Sequence, residues 1–124
     1  MASEMYERGM QARRDVLGDE YVDNAMRSVD KLTKPFQELA TEYCWGAIWA
    51  RDGLARSTRS LVNIGMLIAL GRSAELEVHI RGALRNGCSF EEVQEVLLQA
   101  AVYCGVPAGS EAFRVARRVF ADQA

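Results

Sequence analysis

Apolar residues recur along this chain at helical spacing, and nowhere do they alternate over a sustained run in the two-residue rhythm of a strand. Only Pro35 and Pro107 interrupt the pattern as prolines. The spacing predicts a single-domain, all-α bundle of six to seven helices covering the whole chain. A first helix is expected from about Ser3 to Leu17, with Gly18 just past its end. A short second helix begins at Asp19 and reaches about Val29. Thr33-Lys34-Pro35 opens the third, with proline in the first turn where its missing N–H does no harm. Gly53 marks the loop that follows, and Ser57 or Thr58 starts a fourth helix. Ser73 is expected to cap a fifth, which Asn86-Gly87 ends. Ser89-Phe90-Glu91-Glu92 is a capping box for the sixth, with Glu92 placed to reach back to the Ser89 backbone. Pro107 is expected to break that helix, and a last one runs from about Ser110 to Phe120.

Three faces in this pattern bear on assembly. In the third helix, Phe36, Leu39, Ala40, Tyr43 and Ala47 form a stripe sufficient to dock it. Trp45 and Trp49 lie on roughly the opposite side, open to a second packing contact, an inter-subunit surface or a pocket wall. The fourth helix, LVNIGMLIALG, is apolar on nearly every side and is expected to be buried all round, centrally or against another subunit. Together these faces point to a homo-oligomer. In the sixth helix, Val93, Val96, Leu97, Ala100 and Cys104 share one side.

Composition removes several function classes. Of 124 residues, 49% are hydrophobic, a globular proportion. Fifteen basic against seventeen acidic residues give a net charge of −2, with no basic stripe for nucleic acid. The first residues are charged throughout and lack the apolar run of a signal peptide, and Leu61 to Leu70 is too short to span a bilayer. A cytoplasmic protein with no membrane partner is expected. Cys44, Cys88 and Cys104 form no CxxC pair, and one histidine does not complete a common zinc set, so no metal is expected. Cys44 and Cys104 read as small apolar fillers.

That single histidine, His79, falls in the fifth helix at the margin of the core stripe Leu76, Ile80, Ala83 and Leu84, half-buried with one ring edge available. Glu75 is one turn earlier on the same side, and Arg72 just before the helix projects the same way. Such a set is also common helix decoration, and spacing alone decides nothing further.

The residues Thr58-Arg59-Ser60-Leu61, Gly71-Arg72, Glu75-Leu76, His79, the run Gly82 to Gly87 and Tyr103-Cys104-Gly105-Val106-Pro107 strongly resemble the carboxymuconolactone decarboxylase family. The likeness covers roughly Tyr6 to Phe120. The wider family includes thiol peroxidases similar to alkylhydroperoxidase D, which carry a CxxC upstream of the histidine and a glutamate on the preceding helix. Here Arg72 and Glu75 take the two cysteine positions and Ser60 the glutamate position. Without paired thiols that redox cycle has no resolving disulfide.

The resemblance implies an all-α fold assembled as a trimer of dimers and a cofactor-free decarboxylation. The implied substrate is the dianion γ-carboxymuconolactone (2-carboxy-5-oxo-2,5-dihydrofuran-2-acetate), converted to β-ketoadipate enol-lactone and CO2 in protocatechuate breakdown. On this reading His79 donates to the developing oxyanion or protonates ring carbon, and Glu75 orients the imidazole and favours its charged form. Arg72 grips a substrate carboxylate, with Arg81, Arg59 and Arg51 as weaker candidates. Trp45 or Tyr103 supplies an apolar wall for departing CO2. The rivals are another lactone on the same scaffold and a helical oligomer that only binds a partner.

Overall fold

The computed structural model describes residues 3–123, and every regular element among them is helical. The chain divides into two compact units, joined in sequence at Ala55–Arg56.

The first unit holds α1 (Glu4–Leu17), α2 (Asp19–Arg27), α3 (Lys34–Ala40) and a π-helix (Thr41–Trp49) that continues α3 without a break. Ser3 caps α1 through its hydroxyl, which accepts the Tyr6 N–H at 3.0 Å. Gly18, at φ +91°, turns the chain between α1 and α2. The α1 backbone lies so close to the π-helix that a β-carbon on Gly9 would stand 2.8 Å from the Gly46 nitrogen. That approach buries Trp45 and Trp49 with Ala12 and Val16, the indole centroids 5.1 Å apart. The expected docking stripe of this segment is therefore reversed. Phe36, Leu39 and Tyr43 are 61–73% exposed, and the tryptophans take the core. A π-helix turns less per residue than an α-helix, so the part of the stripe beyond Thr41, Tyr43 and Ala47, drifts off a face drawn at 3.6-residue spacing. The two indoles also offer the larger apolar area to bury.

The second unit comprises α4 (Arg56–Leu70), α5 (Ser73–Arg85), α6 (Phe90–Cys104) and α7 (Val106–Gln123) around one aliphatic core. Ile64, Ile80, Val93, Val115 and Val119 are fully buried in it. The Ser89–Glu92 capping box forms as its sequence predicts. Gly87 at φ +94° and Gly105 at φ +102° close α5 and α6. Polar ties fix the helix ends: the Asn86 amide donates to the Ser60 hydroxyl at 2.9 Å, and the Cys88 thiol donates to the Ser57 carbonyl at 3.3 Å.

Several expectations are corrected here. Ser73 is the first residue of α5 rather than its cap, and its hydroxyl donates to Glu111 of α7 at 3.0 Å instead. Pro107 does not break a helix: α6 has already ended at Gly105, and the proline sits in the first turn of α7, which begins before Ser110. Of the two placements expected for the fourth helix, full burial within its own chain does not occur: Ile64 and Ile68 face the core while Val62, Met66 and Leu70 are at least half exposed. Cys104 is exposed and Cys44 only half-buried; the cysteine that fills space is Cys88. Among the described residues no helix is long and apolar enough to cross a membrane.

Candidate active site

His79 sits on α5 between two core residues, Leu76 and Ile80, which are 2% and 0% exposed. Its position at the edge of the buried stripe leaves the residue partly accessible while Nδ1 is sealed from solvent. Burial therefore penalises the imidazolium, and the pKa falls to about 4. At neutral pH the ring is uncharged, with one N–H to give and one lone pair.

Glu75 is exposed, one turn N-terminal to His79, and makes no hydrogen bond or ion pair among the described residues. Burial is the cause of the lowered His79 pKa in the unliganded protein. Arg72 is exposed at the N-terminal end of α5, about 10 Å along the helix axis from His79 at 1.5 Å per residue. It lines a cleft of about 130 Å3 together with Ser73, Leu76 and Glu111, and His79 is not among the walls of that cleft.

The remaining candidates lie on different elements. Arg81 is held by Asp122 at 2.6 Å and Glu77 at 3.3 Å, and Glu77 also takes Arg118 at 3.2 Å. This network ties α5 to α7, and it gives Arg81 two carboxylates before any ligand arrives. Arg59 is half-buried on α4, with Nε enclosed and lacking a hydrogen-bond partner among the described residues. Arg51 is exposed in the loop after the π-helix. Trp45 belongs to the core of the first unit. Tyr103, 85% exposed, lines a groove of about 380 Å3 between α4 and α6, with Val62, Gly65, Val96 and Gln99.

Sequence reasoning did not single out Arg13, which is 8% exposed and donates to the Gln37 amide oxygen at 3.0 Å. Burial lowers its pKa, and no carboxylate among the described residues pairs with it. The Gly9 contact with the π-helix one turn earlier was the available signal, since a glycine inside an amphipathic helix marks close approach.

Burial raises the pKa of both Cys44 and Cys88, and the three free cysteines are far apart in sequence. Among the described residues no group of three histidine, cysteine or acidic side chains is placed to hold a metal ion.

Comparison with known proteins adds what geometry does not. Residues 34–118 match the carboxymuconolactone decarboxylase family. The chain is 45% identical to a nitrosuccinic acid decarboxylase from Metarhizium robertsii over 95% of its own length and 82% of the relative. It is 38% identical to a 4-carboxymuconolactone decarboxylase from Acinetobacter baylyi, over 94% and 87% of the two chains.

Proposed function

The chain belongs to the carboxymuconolactone decarboxylase family, and on that premise we propose that it is a carboxy-lyase that decarboxylates γ-carboxymuconolactone without a cofactor. The observation that carries the reading is the single imidazole on α5, desolvated and neutral at the edge of the core. The substrate brings its own electron sink. As the C–CO2 bond breaks, its electron pair passes through the ring double bond into the lactone carbonyl and forms a dienolate oxyanion, which a water proton then quenches at the ring carbon next to that carbonyl to give the enol-lactone. A neutral imidazole N–H aimed at that oxygen stabilises charge only as it develops, which is worth about 10²–10³ in rate for one preorganised donor. Because Nδ1 is sealed, Nε2 is the nitrogen a substrate would address. The resting ring carries no imidazolium proton to hand to carbon, so the oxyanion role is the stronger of the two roles expected for His79. Glu75 would then act on the substrate-bound ring, and Arg72 would grip the acetate arm that is retained. An ion pair to the leaving carboxylate would stabilise the ground state more than the transition state.

A second reading is favoured by the higher identity to the nitrosuccinic acid decarboxylase. Nitrosuccinate makes the same demand: a carboxylate leaves a carbon that also bears an electron acceptor, here a nitro group that takes the pair as a nitronate. One oxyanion donor and one carboxylate grip would serve both substrates. CO2 release from each, measured side by side, tests the choice. Faster turnover of the lactone is expected, turnover of nitrosuccinate alone selects the second reading, and silence on both removes the decarboxylase.

We also infer a homo-oligomer, of which the trimer of dimers is the form implied by the family. Val62 and Met66 on α4 and Leu98, Val102 and Tyr103 on α6 leave an apolar surface that a second copy would cover. Light scattering of the wild type against Tyr103→Glu tests this: a multimer that dissociates in the variant is expected, and a monomeric wild type would refute it.

A further inference from the structure

We propose that the cleft between α6 and α7 binds a small carboxylate carried on a flat apolar ring, at a place separate from His79. The cleft measures about 660 Å3, within the range of roughly 300–1,000 Å3 typical of small-molecule sites. Three phenylalanines build it. Phe90 opens α6, and Phe113 and Phe120 lie two turns apart on one face of α7. Phe90 and Phe120 meet edge to face with centroids 4.9 Å apart, an arrangement that fixes both rings. Only Phe120 packs against the aliphatic core; Phe90 and Phe113 remain 50% and 36% exposed, so the aromatic wall stands open to a ligand.

The polar groups on this wall are of one sign. Arg114 and Arg117 line the cleft, and no aspartate or glutamate does. Arg114 is engaged by Glu111, whereas Arg117 makes no hydrogen bond or ion pair among the described residues. A planar guanidinium beside aromatic faces suits a planar acid group attached to a ring, because it can take both oxygens while the ring stacks. The Gln94 amide and the Ser110 hydroxyl sit on the same wall and can fix orientation. A two-fold contact of this face with itself would set arginine against arginine, whereas an acid-bearing ligand supplies the complementary charge. Nothing in the proposed decarboxylation uses these residues, so the inference stands apart from that reading.

Calorimetry on the full chain tests it with naphthalene-2-carboxylate as probe and naphthalene-2-carboxamide as the uncharged control. One site per chain is expected, with the acid bound at least about tenfold tighter than the amide, the scale of one charge-assisted hydrogen bond. Arg117→Gln should erase that preference while leaving melting temperature and turnover unchanged. Phe113→Ala should weaken acid and amide alike, with circular dichroism confirming that the helices persist. Three results overturn the proposal: acid and amide binding equally or not at all at millimolar concentration, loss of probe binding in His79→Ala, or a change of assembly state in Arg117→Gln.

Discussion

Residues 3–55 bury two tryptophans and an arginine, whereas residues 56–123 bury a mainly aliphatic core and carry the only histidine at its margin. The first unit achieves its burial by backbone proximity. Gly9 lets α1 lie on the π-helix, and the indoles fill what remains. Inside it Arg13 meets neutral partners, Gln37 and Met26, so its charge is stabilised by hydrogen bonding and not by a counter-ion. The second unit achieves its burial by side-chain packing, and two of its buried groups are answered from other segments of the chain, Ser60 by Asn86 and Cys88 by Ser57. The difference teaches that chemistry is read from burial without charge compensation as much as from clusters of reactive groups. Both units contain a desolvated basic side chain, Arg13 in the first and His79 in the second. Only an imidazole can shed its charge near neutral pH, and that makes His79 available as a neutral donor.

The contrast can be broken first where backbone proximity matters most. Gly9→Ala puts a methyl group into the Thr41 carbonyl and the Gly46 backbone, neither of which is a flexible side-chain end. A loss of about 3 kcal/mol or more is expected, as for severe overpacking. Hydrogen exchange should show the acceleration in residues 3–55 before residues 56–123; uniform acceleration would contradict the division.

The next effect is pH-dependent. His79 has a folded pKa of about 4, below the ordinary 6.5. Its neutral form is favoured by folding, so this contribution to stability is complete above pH 6.5 and is lost as pH falls through 4. The shift corresponds to about 3 kcal/mol as an upper figure for a group still partly accessible. Because the chain has a single histidine, one imidazole resonance reports the titration. A midpoint near 4 in the unliganded protein is expected, and His79→Gln should flatten the acid limb of the stability profile.

The smallest effect belongs to a cap. Ser89→Ala removes the hydroxyl that accepts the Glu92 N–H at 3.0 Å, and about 1 kcal/mol should be lost in chemical denaturation.

How much of this was legible in the sequence follows physical lines. Signals that act within one helical turn were readable. The Ser89–Glu92 box, Gly18, Gly87 and the Leu76–Ile80–Ala83 stripe all depend on residues three or four apart. What depends on a distant partner was not. Ser73 looks like a cap until Glu111, thirty-eight residues away, takes its hydroxyl. Phe36, Leu39 and Tyr43 look like a docking face until the π-helix turns the tryptophans inward. Pro107 looks like a breaker because sequence does not say which helix a first-turn proline belongs to. At the candidate site, His79 and its place beside the core were readable from periodicity. The ion pairs that occupy Arg81 were not, since Asp122 lies forty-one residues away.

The central claim is that decarboxylation depends on the imidazole of His79, and single-turnover CO2 release from γ-carboxymuconolactone in His79→Ala tests it most directly. The account predicts that kcat falls by at least about 10²-fold while circular dichroism and assembly state are retained. A folded variant that releases CO2 at a rate near the wild type would contradict it.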